Sequence, residues 1–237
     1  MGLSADIGSI AHRALERWVR EGLWRGDADG ALLRHAYEHE GCKARKDVNL
    51  QPGGRLLGLR IKNVGKSMRD RLTSVRADQV FAEHSLEDDH SRIRGVLDLL
   101  IVEDHVVHVY DYKTGRSAVT DEGRVADSVR TQLIAYGIVL SRLYPKHQLR
   151  LSVVSPARGI IDVPWDAKIA SQIKSRILEF KQLTESQRDP LASPEEDSCR
   201  FCPRRLYCAP HWQTATRAGW TDLAEGELID VRRSDSG

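Results

Sequence analysis

A chain of 237 residues, 41% hydrophobic and 30% charged, has the makeup of an ordinary globular protein. That length suits one sizeable domain, or one domain with an appendage. No apolar run approaches the roughly 20 residues of a membrane span. Met1–Asp6 also lacks the basic-then-apolar pattern of a secretory leader, so a cytoplasmic protein with no membrane partner is expected. Thiols stay reduced in that compartment, so four cysteines at ligand-like spacing point to metal rather than disulfides. The net charge of +2 is uninformative, but its distribution is not. Between Lys43 and Arg76 ten basic residues meet only Asp47 and Asp70, giving +8 locally and leaving −6 for the rest. A basic concentration of this kind can pair with phosphates or simply form a solvated helix face.

In chain order, residues 8–22 read as an amphipathic helix with Ala11, Leu15, Trp18, Val19 and Gly22 near helical spacing. A second helix over 29–46 carries Cys42 near its end. The breaker-rich stretch 47–54 then leads into a basic helix over 56–76. Strands are predicted near 79–86, 92–102 and 105–112, followed by a helix over 124–144 that Pro145 stops. Two further strands fall near 148–155 and 159–163, and a long helix near 166–186. Pro190, Pro194 and the acidic Glu195, Glu196 and Asp197 mark a linker into Cys199, Cys202 and Cys208. The domain reading is therefore a core over 1–190, a cysteine-rich staple over 191–211 and a tail over 212–237.

The second and third strands carry the chemistry. A two-residue turn at Glu103–Asp104 sets Val102 opposite His105, Asp98 opposite Val109 and Asp111 opposite Val96. By alternation Val96, Asp98, Val109, Asp111 and Lys113 share one face. The two carboxylates become diagonal neighbours, about 7 Å apart at the backbone. Like charges among valines are costly unless a cation sits between them, and an oxygen-rich pair suits Mg2+ or Mn2+. Lys113 is placed to orient an attacking water or to stabilise developing charge.

The pattern Gly95-x-x-Asp98, twelve intervening residues, then Asp111-Tyr112-Lys113-Thr114-Gly115 resembles the PD-(D/E)XK nuclease superfamily, in its RecB-type branch. Gly8-Ser9-Ile10-Ala11-His12 matches that branch's G-x-x-x-H helix, and Gln132-Leu133-Ile134-Ala135-Tyr136 matches its Q-x-x-x-Y helix. Glu83 stands where a glutamate commonly precedes the hairpin. Taken alone, His12 is better read as pairing with Glu16 one turn later. The resemblance implies an α/β, restriction-endonuclease-like core with a central mixed β-sheet flanked by helices. It also implies a metal held by His12, Asp98, Asp111 and the Tyr112 backbone carbonyl, with Lys113, Gln132 and Tyr136 completing the catalytic set. Asp111 departs mildly from the pattern, since many relatives carry Glu there.

Four thiolates can hold zinc or a [4Fe–4S] cluster. Zinc sites usually pair two C-x2-C hooks, and this chain has one. A distant Cys42 followed by C-x2-C-x5-C resembles the iron–sulfur version of the RecB-type branch, in which the cluster forms a C-terminal knot; zinc is the alternative. Lys62, Lys66 and Arg69 on the basic helix, and Arg204 and Arg205 in the knot, are the expected DNA-backbone contacts. These features imply a Mg2+- or Mn2+-dependent deoxyribonuclease, an exonuclease on DNA ends or single strands, in DNA repair, CRISPR adaptation or antiviral (phage) defence. No G-x-x-x-x-G-K-[ST] loop is present, so unwinding falls to a helicase or defence partner. The competing reading is a non-catalytic DNA-end-binding module stabilised by an iron–sulfur or zinc site. An intact Asp98, Asp111, Lys113 and His12 set argues against it. Strand polarity, pathway and oligomeric state are not written in these motifs.

Overall fold

The computed structural model describes residues 3–115, 118–186, 192, 194–196, 199 and 202–220. Its elements are helices α1 (Leu3–Arg20), α2 (Ala31–Lys43) and α3 (Gly54–Leu72), then strands β1 (Val80–Asp88), β2 (Ile93–Val102) and β3 (Val106–Tyr112). Helix α4 (Asp127–Leu143), strands β4 (Gln148–Ser155) and β5 (Gly159–Asp162), and helices α5 (Ala167–Glu185) and α6 (Ala209–Ala218) follow. The chain divides into two units, Met1–Leu178 and Glu179–Gly237. Pro190 and Asp197, expected in a linker, lie outside the described residues, as does the segment after Trp220. No described helix is long and apolar enough to cross a membrane.

The sheet runs β1-β2-β3-β4-β5 in space, antiparallel throughout except for the β3–β4 pair. A parallel pair needs a crossover, and α4 supplies it. The fold is thus α/β, with a mixed five-stranded sheet covered by helices. Each face carries its own apolar core. Ile7, Ile10, Ala14, Leu15 and Trp18 of α1 pack with Leu33, Tyr37, Ile61 and Met68 against Leu99, Ile101, Tyr110, Tyr112 and Val154. On the other face Leu133, Ile134, Val139 and Leu140 of α4 meet Leu97, Leu100, Val107, Val109, Leu151 and Val153. The i, i+3, i+4 spacing of the α1 apolar residues is what turns that helix onto the sheet. Gly22 does not extend this stripe: it adopts φ 67°, a left-handed conformation, just beyond the end of α1.

One irregularity matters for function. Along β2, Ile93 and Leu97 face the α4 core, whereas Leu99 and Ile101, still odd-numbered, face the α1–α3 core. Strict alternation would keep all four on one side. The faces therefore exchange at Asp98. Across the β1–β2 ladder, the residue that would pair with it is Glu83, and that pair is missing between Ala82↔Leu99 and His84↔Leu97. Glu83 takes φ 49°, a backbone conformation that a residue with a side chain adopts only when its surroundings impose it.

Candidate active site

The hairpin that carries the carboxylates differs from expectation by one pair. Val102 faces Val107, not His105, and Leu100 faces Val109. Glu103 N–H donates to the Val106 carbonyl at 2.9 Å, so the turn holds Asp104 and His105. The turn has moved one residue along the chain, with Asp104 in it in either register. Continuing this register sets Asp98 opposite Asp111 instead of diagonal to it. The ladder, however, stops at Leu99↔Tyr110, and the Tyr112 N–H donates to Asp98 Oδ2 at 2.5 Å. Val96, expected on the carboxylate face, is exposed and paired with Ser85. The exchange of faces at Asp98 separates the two.

Helix α1 delivers His12 to the same point. Its Nε2 lies 2.8 Å from the Tyr112 carbonyl oxygen and 3.6 Å from Asp98 Oδ2. With its proton on Nε2, the ring donates to that carbonyl. Glu83 completes the group: ligand atoms of His12, Glu83 and Asp98 all lie within 4.8 Å of one another. Asp111 is buried nearby, with Lys113 Nζ 3.0 Å from its Oδ1 and 2.7 Å from Oδ2. Despite that proximity, Oδ2 receives no well-directed hydrogen bond.

Electrostatics make the group short of positive charge. Burial pushes the Asp98 carboxyl up to about 6, with the neighbouring Asp111 adding to the rise, while His12 and the Tyr112 amide pull it back. Burial likewise raises Asp111, against the pull of Lys113. Glu83 is raised by burial and then by the charge of Glu16. Three carboxyls held above their ordinary range beside one imidazole are a strong attractor for a hard cation. The donor set fits a divalent ion: carboxylate oxygens, one backbone carbonyl, one imidazole and a buried carboxylate oxygen without a well-aligned donor.

Two glycines explain why the surrounding motifs hold together. A Cβ on Gly95 would lie 2.6 Å from Tyr136 Cε1, so the tyrosine ring of α4 rests directly on β2 at Gly95. Gln132 Nε2 in turn donates to the Tyr136 hydroxyl at 2.9 Å. A Cβ on Gly8 would lie 2.6 Å from Thr114 Oγ1, which brings α1 against the residue after Lys113. The Tyr112 side chain is buried under the site, edge-on to His12 with ring centroids 5.7 Å apart. The bare spacing of the sequence did not disclose this packing role of Gly8 and Gly95. The available signal is their place in the two motifs, Gly8 four residues before His12 and Gly95 three before Asp98.

The other expected residues are placed as follows, each within its own unit. Lys62 pairs with Asp29 at 2.8 Å, Arg69 stands 3.8 Å from Asp70, and Lys66 is exposed. All three occupy α3, whose buried stripe is Ile61, Val64, Met68 and Leu72. Cys42 is exposed near the end of α2 in the first unit. Cys199, Cys202 and Cys208 are half-buried in the second unit, where Cys202 N–H donates to the Cys199 carbonyl and Cys208 precedes α6. None of the four forms a disulfide. Arg204 is exposed and Arg205 half-buried in a short turn of 3₁₀ helix. Among the described residues, the group of three or more potential ligands within 4.8 Å is the one at His12, Glu83 and Asp98.

A mixed sheet with helices on both faces, and a carboxylate pair followed by Lys113, define a nuclease-type core. The family model of the PD-(D/E)XK nuclease superfamily matches residues 2–209, and the chain belongs to that superfamily. It is 22% identical over 167 residues to an ATP-dependent helicase/nuclease subunit of Oenococcus oeni (strain ATCC BAA-331 / PSU-1). That match covers 66% of this chain and 14% of the relative's length. The crystal structure of SSO0001 is similar at 17% identity with a TM-score of 0.33, over 83% of this chain and 94% of that one.

Proposed function

We propose that this chain is a divalent-cation-dependent deoxyribonuclease, working as an exonuclease on DNA ends or single strands. The observation that carries the reading is the convergence of His12 Nε2, Asp98 Oδ2 and the Tyr112 carbonyl beside the buried Asp111–Lys113 pair. In this reading Mg2+ or Mn2+ is held by His12, Asp98, Asp111 and the Tyr112 carbonyl, with Glu83 joining them. Such an ion, when bound, lowers the pKa of a coordinated water and polarises a phosphoryl oxygen. Lys113 Nζ, anchored by Asp111, holds that water or the charge growing on the phosphate. Gln132 and Tyr136 act from α4, where the Tyr136 ring fixes the Gly95–Asp98 segment.

Beyond the hydrolytic centre, Cys42, Cys199, Cys202 and Cys208 are proposed to hold a [4Fe–4S] cluster, with zinc the alternative occupant. Four thiols with no disulfide among them suit either group. Lys62, Lys66, Arg69, Arg204 and Arg205 are the proposed phosphate contacts. The likeness to a helicase/nuclease protein supports a helicase partner. A cytoplasmic setting and a place in repair, CRISPR adaptation or phage defence complete the proposal.

The test is degradation of 5′- and 3′-labelled single- and double-stranded DNA by protein purified without oxygen. Cleavage is expected with Mg2+ or Mn2+ and lost with a chelator, and Asp111→Ala and Lys113→Ala should each abolish it. Cleavage that persists in either variant would overturn the assigned roles. Salt-sensitive DNA binding with no cleavage would instead favour an end-binding module.

A further inference from the structure

In the second unit, Glu179–Gly237, one histidine is buried with its polar atoms unmet. His211 lies in the first turn of α6 at 2% exposure, and neither its Nδ1 nor its Nε2 has a hydrogen-bond partner. In either neutral tautomer one ring nitrogen donates and the other accepts, so both demands are left open. A buried group in that state costs free energy unless something binds it. The ring lies against two indoles, with centroids 5.3 Å from Trp212 and 5.5 Å from Trp220. Packing alone would be served as well by a phenylalanine, which has no nitrogen to leave unpaired.

The neighbours of His211 in sequence are soft metal ligands. Cys199 and Cys202 form one pair at a spacing of three, and Cys208 and His211 form a second at the same spacing. Each pair sits on a tight turn. The Cys202 N–H donates to the Cys199 carbonyl at 3.1 Å, and the Trp212 N–H donates to the Cys208 carbonyl at 3.2 Å across the start of α6. Residues three apart on a helical turn fall on one side of it, so each pair can present two ligand atoms together. The link between the pairs is itself a run of turns, with the Arg205 N–H on the Cys202 carbonyl and the Cys208 N–H on the Arg205 carbonyl. Both hooks of a zinc site are therefore present, the second ending in histidine rather than cysteine. No three of the four ligand atoms lie within 4.8 Å of one another, so an ion draws the hooks together as it binds.

We propose that Cys199, Cys202, Cys208 and His211 form a tetrahedral zinc site complete within the second unit, without Cys42. Three thiolates and one imidazole are an ordinary ligand set for structural zinc. The inference rests on the reading that the clustered cysteines hold metal, and it changes the fourth ligand when that metal is zinc. An iron–sulfur cluster held by four thiolates needs Cys42, which belongs to the first unit, whereas zinc does not. The fourth ligand thus distinguishes the two occupants.

The experiment titrates Co2+, as a spectroscopic stand-in for zinc, into the full chain, reduced and metal-free, without oxygen. It follows the visible bands of tetrahedral cobalt and the thiolate-to-cobalt charge-transfer band, which an oxygen-rich site does not give. Wild type and Cys42→Ser are expected to show the same spectrum and the same affinity. His211→Ala should lose the tetrahedral bands at cobalt concentrations that saturate wild type, and His211→Cys should restore them with a stronger thiolate band. Circular dichroism of each variant before metal is added guards against a folding defect. Wild-type behaviour in His211→Ala, or no rescue by His211→Cys, overturns the site. Loss of binding in Cys42→Ser also overturns it and leaves the four-cysteine reading standing. A wild-type protein without any thiolate band would sink the reading that these cysteines hold metal at all.

Discussion

Strand β3 carries a buried polar cluster toward each end, and the two are built on opposite principles. Toward its start, His108 shares a 2.8 Å hydrogen bond between Nε2 and Ser152 Oγ, and that hydroxyl donates to Asp162 Oδ1 at 2.7 Å. The His108 ring stacks on Tyr110 with centroids 3.9 Å apart. This cluster is closed: its polar groups satisfy one another, and burial pushes the imidazole down to about 4, so it stays neutral. Toward the end of the strand, Asp98, Asp111 and Glu83 are held above their ordinary range, and an Asp111 oxygen lacks a well-aligned donor. That cluster is open. Burial and polarity are common to both, so neither marks a reaction centre. What distinguishes the candidate site is its carboxyls held above their ordinary range.

Substituting one member of each cluster tests this contrast most severely. Asp98→Asn should lower DNA cleavage at least a thousandfold at saturating Mg2+, while Ser152→Ala should leave it within about threefold. Comparable losses in both would mean that the closed cluster is also part of the reaction. The Asn retains an oxygen for the Tyr112 amide, so melting temperatures should show that the fold survives.

Acid titration of metal-free protein separates the clusters by sign. Asp98, raised from 3.8 to about 6, binds a proton more tightly when folded. Its contribution is full below pH 3.8 and fades as pH rises through about 6. His108, lowered from 6.5 to about 4, does the reverse: its contribution is full above pH 6.5 and fades as pH falls toward 4. Between about pH 4 and 6 the two slopes oppose each other. Denaturant midpoints should therefore rise with pH more steeply in Asp98→Asn than in wild type, and less steeply in His108→Phe. Parallel curves for all three proteins would refute this account.

The smallest expected effect concerns support rather than chemistry. Gly95→Ala places a methyl group against the Tyr136 ring and should cost about 1–3 kcal/mol of stability by urea melts. Tyr136→Ala in the same background should recover part of that loss, because it removes the clashing ring. No recovery would mean that the glycine serves something other than the approach of α4.

Much of this arrangement is legible in the sequence because it is local. Helical spacing in α1, the breakers around 47–54 and the apolar runs of β2, β3 and β4 set the elements to within a few residues. A two-residue turn with Asp98 and Asp111 in each other's neighbourhood follows from the hairpin alone. What the sequence hides is non-local. Asp104 sits in both the Glu103–Asp104 and the Asp104–His105 turn, so its turn preference does not choose between them. The exchange of faces at Asp98 depends on the backbone of Glu83, on a different strand, and no propensity at either position announces it. Gly22 fits a helical stripe by spacing and lies outside the helix because of its own conformation. The basic helix shows the opposite limit: its charges are plain to read, yet Lys62 is partnered by Asp29, from before α2.

The approach of Gly8 to Thr114 has a consequence for the order in which the molecule becomes competent. His12 belongs to the first helix, whereas Asp111 and Lys113 arrive about a hundred residues later, after two strands have paired. The hairpin is a local structure, whereas the contact of His12 with Tyr112 and Asp98 closes a long loop, which is entropically the slower step. The proposed cation site is thereby complete only when the whole first unit has folded.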